Sequence, residues 1–450
     1  MGNAAIPMMA ASYKYELVLA SFFANAQYDH ADKYYASASL RYDASSRFGS
    51  NHRWAPFWSV GAKYRLSAEP FMEPTSHWLT NLTLRSSYGT SGNQEVGGSW
   101  YASRDLFGFG WNYNGQPGMG HEQFGNPELK WEQTAKFNVG IDLSLFNRIH
   151  LELDYYNHQT KDMVFAVPLS MTTGLSYYYK NIGKLSNKGL EMSLHAQLLK
   201  TNDWSWDATL TWSRNRNRVE KLSSDNPIQS SIQITEVGGP IYQFLMPEYA
   251  GVDPQTGDPL WYKGTEGTET TNQYHEAGKR YLGSPMPDYS GSISTTLRWK
   301  NLDFAVQLNY NVGNKIYGDD LVYGEQSGSS LLEGYTYYVY DNRWQKPGDI
   351  TDVPRMDSEG NYGTATSSRY LMDGDYLKIR SMTCGYTLPK KWLRRAGIQK
   401  GRIFVQAENI YTFCAANYRG FDPAGADVDG LQMWNYPSPR TLSFGIHLGF

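Results

Sequence analysis

Nowhere do the 450 residues hold an apolar run of about eighteen, the length a helix needs to cross a bilayer, so a helical membrane protein is excluded. An excess of one charge is lacking too. Lys and Arg number 41 against 44 Asp and Glu, for a net charge of -3, and no basic stripe is present to neutralise phosphates. Nucleic acid is therefore not an expected partner. Cysteine is scarce: Cys384 and Cys414 are too few for a disulfide framework, stand in no metal-binding spacing and read as unpaired. The nine histidines form no HExxH or comparable pair, so no catalytic residue, metal or cofactor is assigned. The segment GVDPQTGDP (251–259) holds Asp253 and Asp258, but without the ligand spacing of an EF-hand, and it reads as an external Pro/Gly turn. The first twenty residues hold no charged start followed by a clean apolar run, because Tyr13-Lys14-Tyr15-Glu16 interrupts the one candidate. An exported protein of this composition is expected to have lost its beginning.

A mean hydropathy of -0.56 does not exclude a barrel, since only alternate residues of a barrel strand face lipid. What the chain has in quantity is aromatics, 15% of residues, led by 35 Tyr and 14 Trp. Amphipathic rings collect where hydrocarbon meets water. The last ten residues read TLSFGIHLGF. Leu442, Phe444, Ile446, Leu448 and Phe450 share one side of a strand, with Thr441, Ser443, Gly445, His447 and Gly449 on the other. A terminal amphipathic strand closing on Phe is the pattern of outer-membrane barrels, and Phe444 and Phe450 are its candidate assembly signal.

The same two-residue period recurs through the chain. Trp131, Ala135, Phe137, Val139, Ile141, Leu143 and Leu145 share a parity against Glu132, Thr134, Lys136, Asn138 and Asp142. Beyond a tight Asn147-Arg148 connection, Ile149, Leu151, Leu153 and Tyr155 oppose His150, Glu152 and Asp154, completing a hairpin. Further strands run through Leu190 to Leu198, through Trp204, Trp206, Leu210 and Trp212, and through a pair from Ile293 to Trp299 and from Leu302 to Tyr310. From Trp204 to Trp212 a strand tilted about 45° rises roughly 19 Å, near the height of an apolar band. Trp204, Trp206, Trp212 and Trp299 are candidate girdle residues. Arg214, Arg216 and Arg218 keep the parity of the tryptophans, which suits a strand leaving the bilayer for headgroups and water. Connections are short near Asp29, Phe71, Asn147, Asn202 and Asn301, and mostly long around Gly110, Leu175, Gly251 and Gly334. Short turns belong on the periplasmic side and long loops outside; threading back from Phe450 gives roughly 13 strands, with one more conceivable before residue 20. The connection from Pro389 to Lys400 has room for one helical turn.

The strings SLRYDASSRFG (39–49), LTLRSSYGTSGNQ (82–94), NPELKWEQTAKFNVGIDLSLF (126–146), NKGLEMSL (187–194), GSPMPDYSGSISTTLRWKNLDFAVQLNYNVGNKIY (283–317), DGDYLKIRSMTCGYTLPKKWLRRAGI (373–398) and YPSPRTLSFGIHLGF (436–450) are similar, in order and spacing, to those of the SusC/RagA family of TonB-dependent outer-membrane transporters of the Bacteroidetes. The resemblance runs from about residue 20 to the end and leaves residues 1–19 as a poorly matching segment. It implies an all-β, transmembrane antiparallel β-barrel portion, roughly 13–14 of about 22 strands, without the plug domain. Residues 20–450 would be the carboxy-terminal part of that barrel, unable to insert and transport alone because both sheet edges are unpaired. The implied activity is import, not catalysis. A glycan or peptide would be taken up with a SusD-like surface lipoprotein and driven by TonB, which engages a region this chain lacks. Two other readings stay open: a siderophore or cofactor receptor of the same class, and a secreted soluble all-β adhesin or carbohydrate-binding protein. Trp100, Tyr101, Trp111, Tyr178 and Tyr337, in aromatic clusters of the long loops, are candidate ligand contacts. Girdle duty or packing against a lid partner would place the same residue types there.

Overall fold

The computed structural model describes residues 14–97, 99–222, 226–328, 334–358, 360, 362–394 and 397–450, so most of the 1–19 segment lies outside the described residues. Thirteen strands form one sheet: β1 (Leu19–His30), β2 (Tyr34–Ser45), β3 (Trp54–Arg65), β4 (Leu79–Asn93), β5 (Glu132–Leu145), β6 (Ile149–Pro168), β7 (Tyr177–Lys200), β8 (Trp204–Lys221), β9 (Tyr289–Trp299), β10 (Leu302–Val312), β11 (Tyr376–Thr387), β12 (Lys400–Cys414) and β13 (Thr441–Gly449). Each strand is antiparallel to the next, and spatial order follows chain order. No pairing joins β1 to β13 among the described residues, so the sheet stands open along those two edges.

Paired residues share a face, and the rows across the sheet show what each face is made of. One row runs Leu199, Trp206, Leu297, Phe304, Cys384, Val405, Phe444; the adjacent one runs Gln197, Asp207, Thr296, Ala305, Thr383, Gln406, Ser443. The first is oily and the second almost entirely polar. The oily residues stay exposed, Phe444 at 76% and Ile446 at 65%, a continuous apolar surface of the kind that soluble monomers cover.

Strand length sets where that surface ends. The 24 residues of β7 rise roughly 55 Å at a tilt of about 45°, some twice the ~25 Å apolar band. Above Tyr155, Leu190 and Trp212 the same outward parity continues as Asn157, Lys188, Arg214, Arg216 and Arg218, so the upper half of these strands belongs in water. Trp204 stacks on Trp299 at 5.6 Å at the opposite end.

Several connections differ from the sequence reading. Residues 66–78, expected as a short turn near Phe71, hold two 3-10 turns, Leu66–Ala68 and Pro70–Thr75. The connection around Leu175 is short, because β6 and β7 extend far above the membrane and meet at residues 169–176. Tyr178 accordingly lies in β7 rather than in a loop. Residues 415–440 form a long excursion that the strand spacing in the sequence does not predict. Trp131, grouped by parity with the lipid-facing residues, is buried at 7% exposure, where its indole N–H donates to the Arg53 carbonyl at 2.8 Å and its ring meets Phe48. Parity fails there because β5 begins one residue later, under a loop core. The helical turn expected between Pro389 and Lys400 is present as Lys390–Leu393.

Candidate functional site

The polar face of β4 to β8 forms an ordered array. Arg85 on β4 donates through Nε to Asp142 on β5 at 2.9 Å and through Nη2 to Asp154 on β6 at 3.0 Å, one guanidinium tying three strands. A step higher, His158 meets the Asn138 amide oxygen at 3.1 Å. Tyr156 donates to Asn215 Oδ1 at 3.1 Å, and the Asn215 and Asn217 amides both donate to Asn187 Oδ1, at 3.1 and 2.9 Å. Gly189 makes this possible: a Cβ there would lie 2.4 Å from the Tyr156 hydroxyl, so only glycine lets the ring lie flat across β7. Arg85, Asn138, Asp154, Tyr156, His158, Asn187 and Asn215, with Ser87 and Glu191, line a concave basin on the wall. Amides, a phenol and a few charges at fixed spacing can exchange hydrogen bonds with a polar polymer and offer little to an apolar one.

Above the membrane the long connections fold on one another. Ile232, Phe244 and Met246 from residues 222–288, with Ile316, Tyr317, Leu321, Tyr370 and Met372 from 313–375, form a buried core. Tyr418, Ala426 and Leu431 from 415–440 pack against it. Two ion pairs lock the assembly. Glu325, 1% exposed, receives both arms of Arg419 at 3.0 and 3.1 Å, and Lys378 meets Asp422 at 2.7 Å. Burial draws the Arg419 guanidinium down, but Glu325 more than offsets this and the net direction is up. Burial, with the bond to Asp352, pushes the Tyr338 phenol up to about 12, so it stays a donor at any physiological pH. The GVDPQTGDP turn lies in this unit. Asp253 accepts from the Gln255 N–H at 2.8 Å, and Asp258 pairs with Arg355 at 2.9 Å.

A second, separate core holds Phe48, Phe57, Val96, Ala102, Leu129, Trp131 and Tyr179 beneath residues 94–131. From it projects a hairpin, Leu106–Tyr113 paired with Gln116–Gln123. Of the five loop candidates, Trp100 lies under the Arg47 guanidinium at 4.2 Å and stacks on Tyr15, and Tyr101 accepts the Glu16 N–H. Tyr178 is half-buried in β7, on the face opposite the core residue Tyr179. Trp111 on the hairpin is 57% exposed, and Tyr337, the first residue of the helix Tyr337–Asn342, is 88% exposed. The structure does not bring the five together. It also shows a polar wall that sequence reading left unassigned, although its signal was present: the wet parity of β6 and β7 carries Tyr156, His158, Asn187 and Glu191.

The model of the TonB-dependent receptor-like β-barrel family matches residues 10–285. TonB-dependent receptor P3 of Formosa agariphila is 30% identical, covering 99% of this chain and 47% of the relative, and TonB-dependent receptor SusC of Bacteroides thetaiotaomicron is 26% identical, covering 98% and 44%. The solved structure of the RagAB peptide transporter superposes with a TM-score of 0.84 at 30% identity, over 96% of this chain and 48% of that one. The chain thus spans about half the length of the relatives it matches. With its two-faced sheet and this family match, it belongs to the TonB-dependent receptor-like β-barrels of the outer membrane.

Proposed function

We propose that this chain supplies part of the barrel wall and three co-folded outer loops of a TonB-energised importer of the SusC/RagA kind, one that takes up a glycan or peptide with a SusD-like surface lipoprotein. The likeness to the RagAB peptide transporter over nearly the whole chain carries this reading. Residues 20–450 act as one barrel unit. Import needs no catalytic group: cargo must be held by many weak polar contacts and released, a task suited to the Arg85, Tyr156, His158, Asn187 and Asn215 array. Among the loop aromatics we assign cargo contact to the exposed Trp111 and Tyr337, and packing to Trp100 and Tyr101. Trp204, Trp206, Trp212 and Trp299 form the girdle, and Phe444 and Phe450 the assembly signal.

The test is a gene deletion in the source organism, with the protein purified from its outer membrane in detergent. The expected result is loss of growth on one class of polymer while growth on its monomers persists, with one lipoprotein co-purifying in stoichiometric amount. A growth defect that appears only under iron limitation, and is relieved by iron, overturns the nutrient-polymer reading in favour of a siderophore receptor.

A further inference from the structure

The periplasmic connection between β11 and β12 carries a feature that neither import nor barrel closure requires. Its helical turn, Lys390–Leu393, folds back over the outward face of the sheet. Gly401 shares the outward parity of Ile403 and Val405 and pairs with Leu448. The direction its missing side chain would take is occupied by Leu393 Cδ1 at 3.1 Å and Leu388 Cδ1 at 3.2 Å. Leu393 is thereby pinned at 6% exposure against the lipid side of β12, while Trp392 projects at 66%. Lys390, Lys391 and Arg394 are exposed around it, and no carboxylate among the described residues pairs with them. The neighbouring strand ends carry the Trp204–Trp299 stack, with the Lys300 ammonium over Trp299.

An aromatic ring with three exposed cations, held on the outside of a barrel at its short-turn rim, stands level with headgroups of the periplasmic leaflet. We propose that residues 390–394 bind an anionic phospholipid headgroup of that leaflet, the phosphodiester lying among Lys390, Lys391 and Arg394 with Trp392 at the glycerol level. This rests on the outer-membrane placement and not on the nature of the cargo. Two observations select the occupant. Charge complementarity calls for a phosphate, and Leu393 continues the apolar surface that the acyl chains cover.

The experiment is native mass spectrometry of the protein purified from outer membranes, titrated with phosphatidylglycerol, phosphatidylcholine or lipid A, comparing wild type with the K390Q/K391Q/R394Q variant and with Trp392→Ser. Gel mobility before and after heating establishes that each variant is folded. Wild type should prefer phosphatidylglycerol. At about fivefold per cation, the triple variant should lose on the order of 100-fold in affinity for it and little for phosphatidylcholine. Trp392→Ser should weaken both lipids. Equal affinity of wild type for phosphatidylglycerol and phosphatidylcholine overturns the proposal, as does a preference unchanged in the folded triple variant. A preference for lipid A overturns the assignment to the periplasmic leaflet.

Discussion

Replacing Arg419 by Met tests whether the three outer loops form one cooperative unit. Arg419 belongs to residues 415–440, and its guanidinium grips Glu325 of residues 313–375 through two parallel bonds, donates to the Arg369 carbonyl at 2.8 Å and lies 4.9 Å from the Tyr338 ring centroid. Methionine keeps much of the packing but strands the Glu325 carboxylate at 1% exposure. Removing one partner of such a buried pair costs about 3–5 kcal/mol. That is roughly two to three and a half decades in the local opening equilibrium. Hydrogen exchange of the detergent-solubilised protein should show it. Peptides from 313–328 and 415–432 should lose protection by about two decades or more, while β9, β10 and β12 keep theirs. The double variant Glu325→Gln with Arg419→Met should recover part of the loss, since no charge is left buried. Protection unchanged in the loop peptides would refute the claim that this pair holds the loops together. Equal loss in the barrel strands would refute the claim that the loops open as a unit of their own.

Val306 and Gln307 are neighbours on opposite faces of β10. Val306→Arg should destabilise the folded barrel by about 2–4 kcal/mol and cut outer-membrane assembly, whereas Gln307→Arg should be tolerated, as read by heat-modifiable gel mobility. Trp111→Ala should reduce cargo affinity by about threefold to tenfold, the worth of one stacked aromatic contact, with surface abundance unchanged by immunoblot. The Glu69 carboxyl is held below its usual 4.5 by the Tyr34 hydroxyl first, then by Lys33 and the Tyr64 hydroxyl. A depressed folded-state value means that its stabilisation is present above pH 4.5 and lost as pH falls through the folded value. The protection of residues 66–75, taken relative to the intrinsic exchange rate at each pH, should therefore fall below about pH 4.5 in wild type and stay constant there in Glu69→Gln.

The barrel wall was legible in the sequence because membrane strands carry their environment residue by residue. The alternation of Leu302 to Tyr310 and of Thr441 to Gly449 is reproduced in the pairing rows. The arginines after Trp212 keep the outward parity in the pairing as in the sequence. Parity misled at Trp131, where a strand end passes under a loop and the outward direction no longer means lipid. The loop unit was invisible for another reason. Its core joins Phe244, Ile316 and Leu431, so distant in sequence that no local period relates them. The lumen array falls between these cases: its residues were visible as the wet side of known strands. Their convergence depends on Gly189 and on a register that only pairing reveals.

The central claim, that this sheet separates lipid from a water-filled interior, is tested most directly by spin labels placed singly along Leu302–Val312. The protein would sit in outer-membrane lipid, with Cys384 and Cys414 replaced by serine. Leu302, Phe304, Val306, Leu308 and Tyr310 should show high access to oxygen, and Asp303, Ala305, Gln307 and Asn309 high access to a water-soluble nickel chelate, alternating at every step. Equal access at both parities, or oxygen preference at neither, would contradict the account and return the chain to a soluble all-β protein.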